Sequence, residues 1–180
     1  MIIEKTNIEG IIILIPEKFY DNRGYFQETY NDKLYNEILK ELNNPFVQDN
    51  ESCSKKGVIR GMHWQINPMA QSKLVRCLNG RIIDIVCDIR KNSPTFGQFV
   101  TIELTPENNK QVFIPRGFAH GFISLEDNSI LSYKVDNYYS KECERSFNIF
   151  SIKDFEHEVF LSDKDRNAPN FNELKDTDLF

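Results

Sequence analysis

The sequence predicts an all-β fold in which short strands close into a sandwich or barrel. Three observations carry this expectation. Short runs rich in Ile, Val and Phe are separated by clusters of Pro, Asn, Asp and Gly. The dipeptide Asn79-Gly80 joins two such runs in the manner of a tight turn. Only one segment carries apolar residues at helical spacing. Many strands without alternating helices argue for a closed β architecture over a parallel sheet wrapped in helices.

The elements follow in order. Residues 11–15 form an unbroken aliphatic run, read as a strand near an N-terminal sheet edge. The single helix is expected over 32–42, where Leu34, Tyr35, Ile38, Leu39 and Leu42 recur on one face. A short strand in 57–65 mixes apolar residues with Arg60, His63 and Gln65. Residues 73–78 and 81–89 read as the arms of a hairpin closed by Asn79-Gly80. Within the second arm, Ile83, Ile85, Cys87 and Ile89 share one face, and Ile82, Asp84, Val86 and Asp88 the other. Asp84 and Asp88 therefore face either a ligand cavity inside a barrel or solvent. Strands are also expected over 99–104, 111–114, 118–125 and 130–135, and the polar tail after Pro169 is expected to be loosely held.

With 180 residues and 40% hydrophobic content, the chain can bury a full core as one domain over 1–180. A formal net charge of -5, mixed along the chain, argues against a nucleic-acid partner. No stretch approaches the roughly 20 apolar residues of a membrane helix, and no secretory leader is visible, so a cytoplasmic protein is expected. Cys53, Cys77, Cys87 and Cys143 have no paired spacing and read as reduced thiols, neither zinc ligands nor nucleophiles.

The three histidines stand at 63, 120 and 157. For His63, a solvated edge strand explains one polar residue, whereas Arg60, His63 and Gln65 together suggest a concave polar site. His120 lies in Pro115-Arg116-Gly117-Phe118-Ala119-His120, a turn feeding a strand, which resembles the second motif of the cupin jelly roll. Metal-binding cupins place His-x-His in the first motif, but here His63-Trp64-Gln65 stands there. The second imidazole is missing, so a metal-free pocket is expected.

The ordered set of motifs resembles the dTDP-4-dehydrorhamnose 3,5-epimerase family, from about residue 10 to Pro169. The matching segments include Asp21-Asn22-Arg23-Gly24-Tyr25-Phe26-Gln27-Glu28, Phe46-Val47-Gln48-Asp49-Asn50 and Arg60-Gly61-Met62-His63-Trp64-Gln65. They continue with Gln71-Ser72-Lys73-Leu74-Val75-Arg76, Ser93-Pro94-Thr95-Phe96-Gly97, Tyr133-Lys134, Tyr138-Tyr139 and Leu161-Ser162-Asp163-Lys164-Asp165. The resemblance implies a cupin-type double-stranded β-helix, or jelly-roll barrel, with a few short helices. It also implies a cofactor-independent isomerase, a homodimer and a dTDP-linked 4-keto-6-deoxyhexose as substrate. It assigns His63 as base, Asp165 as its carboxylate partner, Tyr133 as acid and Lys73 as the group beside the keto oxygen. Arg60 and His120 match contacts in the sugar and phosphate pocket. Arg23, Glu28, Gln48, Asn50, Glu144 and Lys164 match nucleotide-sugar positions, and Tyr139 an aromatic stacked on thymine.

The chemistry suits those roles. A proton beside a ketone leaves only if the enolate is stabilised, and an ammonium group in a water-poor pocket does this. Imidazole has an unperturbed pKa of about 6.5, and a carboxylate partner orients it. Inversion needs a donor on the opposite face, which Tyr133 supplies. Read without the resemblance, Tyr133 is a core tyrosine, Lys73 an exposed strand residue and Tyr138-Tyr139 an aromatic pair in core or interface.

The chain departs from the family between Glu144 and Leu161. There, the usual Trp-Asn-Asp and Ile-x-Trp-Pro stretches give way to Phe147-Asn148-Ile149-Phe150-Ser151-Ile152-Lys153-Asp154-Phe155, and the segment is short. This bears on substrate and stereochemical outcome more than on the chemistry. The leading expectation is inversion of carbons 3 and 5 of dTDP-4-keto-6-deoxyglucose. The competing ones are inversion of one centre or keto-isomerisation of a related nucleotide sugar, a non-catalytic sugar-nucleotide binder, and a metal-dependent oxygenase.

Overall fold

The aliphatic and aromatic runs expected as strands are strands in the computed structural model, which describes residues 1–39, 42, 44–155 and 158–180. In chain order they are β1 (Ile2–Lys5), β2 (Ile12–Ile15), β3 (Phe19–Asp21), β4 (Gly24–Phe26), β5 (Gln48–Ser54), β6 (Ile59–Gln65) and β7 (Lys73–Asn79). β8 (Ile82–Asp88), β9 (Phe99–Leu104), β10 (Gln111–Ile114), β11 (Phe118–Ser124), β12 (Ser129–Val135) and β13 (Glu144–Ser146) follow. Among the described residues, two short helices, α1 (Asp32–Ile38) and α2 (Asp163–Arg166), and three 3-10 turns complete the set. Among the described residues, no helix is long and apolar enough to cross a membrane.

Eleven of these strands form a six-stranded sheet, order β1-β2-β10-β7-β12-β5, facing a five-stranded sheet, order β13-β6-β11-β8-β9, and β3 and β4 pair apart from them as a hairpin. This is the expected jelly-roll barrel. Ile13, Val75, Val86, Val112, Phe118 and Leu131 pack between the sheets. The outer face of the six-stranded sheet offers Leu14, Leu74 and Phe113 to Tyr35 and Leu39 of the α1 region. Met62, Trp64, Ile85 and Cys87 cover the outer face of the other sheet against Phe147 and the chain's C-terminal residues. Apolar residues on both faces of β8 are thus both consumed, which explains why its alternation is so weak.

The expected hairpin is not one. β7 pairs with β10 and β12, whereas β8 pairs with β9 and β11, so Asn79-Gly80 carries the chain over the rim from one sheet to the other. Gly80 has φ +73, and a Cβ there would stand 2.9 Å from the Ser129 Cα. A tight turn with positive φ serves a corner as well as a hairpin. What excludes the hairpin is the demand of each arm for partners in a different sheet.

The helix is shorter than expected. Asn31 accepts from the Leu34 amide at its N-terminus, and the Leu39 amide donates to the Tyr35 carbonyl at its close. Leu42 packs on the same cluster. The solvent-facing reading of Asp84 and Asp88 fails, since both are 0% exposed. Asp88 accepts from Arg90, Ser93 Oγ and Thr95 Oγ1 and clasps the loop after β8. Asp84 faces the barrel interior. The tail after Pro169 is also tied down: Trp64 Nε1 donates to the Asp178 carbonyl at 2.7 Å, and the Phe180 amide donates to the Ile89 carbonyl at 3.1 Å. In the segment that departs from the family, Phe147 is fully buried, with its ring centroid 5.9 Å from that of Trp64.

Candidate active site

Two neighbouring strands bring the first chemistry together. β6 and β11 run antiparallel with His63 opposite His120, and the next paired positions are Arg60 with Phe122. Three steps on β6 therefore match two on β11. This bulge re-aims the strand, so Arg60 and His63, an odd number of residues apart, both line the barrel cavity. The close approach depends on glycine: Gly61 has φ +115, and a Cβ there would meet the Gly121 Cα at 2.5 Å.

Each histidine holds a carboxylate. His63 Nε2 lies 2.5 Å from Asp165 Oδ1, and His120 Nε2 lies 2.6 Å from Asp84 Oδ1. Asp165 arrives from α2, whose first turn is capped when Ser162 Oγ accepts from the Asp165 amide. Its second oxygen accepts from the Gly61 amide at 3.4 Å. Burial alone would raise the Asp165 pKa, but the hydrogen bond from His63 and the His63 charge outweigh it and hold the carboxyl below its ordinary range. An ionised carboxylate can only accept, so Nε2 carries the proton and Nδ1 of His63 is left as the basic nitrogen.

The opposite sheet supplies the other groups. Lys73 on β7 and Tyr133 on β12 line the same cavity of about 510 Å³ as His63, His120 and Asp165. The Lys73 Nζ stands 6.0 Å from the centre of the Tyr133 ring and makes no hydrogen bond or ion pair with the described residues. Burial pushes its ammonium down to about 8, against the pull of Asp84 and then Glu144. Burial raises the Tyr133 phenol, with Arg60 opposing it, so this group stays protonated in neutral solution. Burial lowers the His120 imidazole despite Asp84 beside it.

A second hollow of about 310 Å³ shares His63, Lys73 and Tyr133 with the first and continues along Gln48, Asn50, Tyr139 and Glu144. Gln48 Nε2 donates to Asn50 Oδ1 at 2.7 Å. Lys164, which lines the first cavity, pairs with Glu144 at 2.6 Å, and Tyr139 donates to the same carboxylate at 3.0 Å. Tyr139 keeps 58% of its surface exposed, a flat face open to a planar ligand. Together the hollows make a continuous pocket of mixed polar and apolar lining that runs from His63 and Lys73 to the exposed face of Tyr139, long enough for a sugar joined to a larger group.

Arg23 and Glu28 are not brought to either hollow. Arg23, at the tip of the β3–β4 hairpin, is 86% exposed and pairs with Asp21, and Glu28 is exposed beyond β4. His157 lies outside the described residues. Asp84 was legible only as a residue of undecided face, and the structure makes it the partner of His120. Its signal was the alternation of Ile82, Asp84 and Val86, which placed it with core residues.

The sequence and the fold both have close relatives. The family profile described as dTDP-4-dehydrorhamnose 3,5-epimerase matches residues 5–173. The dTDP-4-dehydrorhamnose 3,5-epimerase of Shigella flexneri is 46% identical over 172 residues, covering 93% of this chain and 94% of that protein. The crystal structure of the Elizabethkingia anophelis enzyme of the same description superposes with a TM-score of 0.89 at 46% identity, covering 96% of this chain and 97% of that one. The dTDP-6-deoxy-D-glucose-3,5-epimerase of Legionella pneumophila Philadelphia 1, solved in complex with dTDP-4-keto-L-rhamnose, gives a TM-score of 0.93 at 41% identity, covering 98% of this chain and 96% of that one.

Proposed function

The chain belongs to the dTDP-4-dehydrorhamnose 3,5-epimerase family, and from that premise we propose how its side chains invert carbons 3 and 5 of dTDP-4-keto-6-deoxyglucose. The enzyme is an isomerase. The observation that carries the residue roles is His63 on one sheet, paired with Asp165 of α2, with Tyr133 and Lys73 on the sheet across the cavity.

His63 Nδ1 takes the proton from the carbon beside the ketone. The electrons of that C–H bond move into a carbon–carbon double bond, and the carbonyl oxygen becomes an enolate beside the Lys73 ammonium. Tyr133 then delivers a proton to the opposite face as the enolate returns to the ketone. His63 gives up its proton and Tyr133 regains one from water, so the net change is configuration alone. Asp165 orients the imidazole and stabilises its cation. Arg60, His120 and Lys164 hold the sugar and phosphates, Gln48, Asn50 and Glu144 the nucleotide end, and Tyr139 stacks on the base.

The placement of Arg23 and Glu28 supports a homodimer. They lie on and beside an exposed hairpin whose Phe19, Tyr20, Tyr25 and Phe26 are 55–73% exposed, and β1 is a sheet edge with Ile2 and Ile3 open to solvent. A second copy covering this surface would bury the aromatics and carry the hairpin toward its partner's nucleotide. Sedimentation equilibrium tests the dimer.

The reaction is tested by a nuclear magnetic resonance time course with dTDP-4-keto-6-deoxyglucose in deuterated water. Deuterium should enter at carbons 3 and 5 with formation of the inverted sugar. Label at one carbon only would show a single-centre epimerase, and no label in any keto-sugar would make the pocket a binding site.

A further inference from the structure

Asp84 has no role in the reaction as described, yet its position is costly. It is 0% exposed in the middle of β8, between Ile82 and Val86 of the main core. One oxygen accepts from His120 Nε2 at 2.6 Å, and the other, Oδ2, is buried with no hydrogen-bond partner among the described residues. A half-satisfied carboxylate in a core costs stability that an apolar residue of similar size would restore, and such conflicts gather at functional positions.

We propose that Asp84 is a positioning residue: it fixes the His120 ring with Nε2–H turned away from the cavity and Nδ1 open to the substrate, and its charge secures Lys73 as the cation at the substrate carbonyl. This rests on the epimerase reading above.

The two effects follow from one placement. A carboxylate accepting at Nε2 leaves the neutral ring with a bare Nδ1, which accepts from a sugar hydroxyl and cannot protonate a carbonyl. Burial disfavours the imidazolium at this position, so His120 does not compete for the role of cation. Among the described residues, no carboxylate forms an ion pair with Lys73. The charged and titratable groups that line the two hollows with it are His63 and Arg60 on β6, His120 on β11, Tyr133 on β12 with Tyr139 beyond it, Glu144 on β13, and Lys164 and Asp165 on α2, while Asp84 on β8 stands beside His120. Of these, Asp84 acts most strongly against the desolvation that strips Lys73 of its proton, with Glu144 second. A direct ion pair would occupy the ammonium, whereas a charge held off by its own bond to His120 keeps it protonated and open to a ligand.

The test is Asp84→Asn, which keeps shape and an acceptor for Nε2 but removes the charge. Expected is a folded enzyme whose kcat falls by roughly 10- to 50-fold, less than for loss of a group that touches the enolate. KM should stay within about threefold, since the contacts to substrate remain. The alkaline limb of kcat/KM should move to lower pH than in the wild type, because Lys73 loses its proton more readily; a role in packing alone leaves that limb in place. Nitrogen-15 resonances of the resting wild-type protein give an independent readout and should show His120 protonated at Nε2. An unmoved alkaline limb, or His120 protonated at Nδ1, overturns the role of Asp84. If Asp84→Asn does not fold, the wild-type resonances still decide the tautomer. A wild type that exchanges no sugar proton overturns the reaction itself, a result distinct from an active wild type with the wrong tautomer.

Discussion

Two histidines, each holding a carboxylate, stand on adjacent strands of one sheet, opposite each other in register, and their pairs are not equivalent. The His63 side chain is 31% exposed and its partner Asp165 has both oxygens satisfied, by His63 and by the Gly61 amide. The His120 side chain is 7% exposed and its partner Asp84 keeps one oxygen without a hydrogen bond among the described residues. An imidazole on an open wall can gain and lose a proton during turnover. An imidazole on a buried floor pays for its charge in desolvation and serves better as a fixed, neutral contact. Exposure, not residue type, separates the base from the binding group.

The largest expected effect lies in exchanging the two. His63→Ala should abolish deuterium entry at every sugar carbon, a loss of roughly 10⁴-fold or more, whereas His120→Ala should keep measurable exchange and raise KM. Equal losses in a side-by-side labelling assay would erase the distinction between the pairs.

Lys73→Met asks whether the cation at the carbonyl is Lys73 or His120. Activity should fall by roughly 10²- to 10³-fold. Stability should move the other way. Because the folded pKa of Lys73, about 8, lies below the ordinary 10.5, its charge costs stability at every pH below about 8, and that cost fades as pH rises to 10.5. Thermal melts at pH 7 should show the variant more stable by ~1 kcal/mol after allowance for solvent screening, with the gap closing in strong alkali. A less stable Lys73→Met at pH 7 would mean that the ammonium is well paired.

Tyr133→Phe separates the opposite sheet from the second pair as the source of the returning proton. Deprotonation by His63 survives, and the enolate is reprotonated from its original face. Deuterium should therefore wash into substrate with retention, while inverted product forms roughly 10²-fold more slowly or worse. Inversion at the wild-type rate would transfer the acid role to another group, His120 first among them.

Asp165→Asn should have a smaller effect on turnover than His63→Ala, Lys73→Met or Tyr133→Phe, roughly 10- to 100-fold, since the partner orients the base without taking its proton. It also has a pH signature. The folded pKa of Asp165 is depressed, so its carboxylate contributes stability above the ordinary carboxyl value of 3.8 and loses that contribution as pH falls through the lower folded value. Urea titrations should find the wild type more stable than the variant at neutral pH, with the difference shrinking below pH ~4. A constant difference down to strong acid would detach Asp165 from any favourable charge interaction.

The sequence by itself determined the strand segments, the residue types of the site and the family. Alternation in β8, the aliphatic run in β2 and the turn at Asn79-Gly80 are local properties, set by neighbours within a few residues. Tertiary structure decided the rest. It sent β7 and β8 to different sheets although their turn is that of a hairpin. It used a bulge to bring Arg60 and His63 to one cavity despite their odd spacing. It placed Asp84 under His120 and gave Asp88, on the same face of the same strand, to a loop clasp. It left Arg23 and Glu28 outside the cavity of their own chain, and it bound a C-terminal tail whose composition reads as loose. Each of these depends on which distant segment meets the residue, as Asp165 meets His63 across 102 positions of sequence. Local periodicity fixes which face a side chain takes; only packing fixes what that face meets.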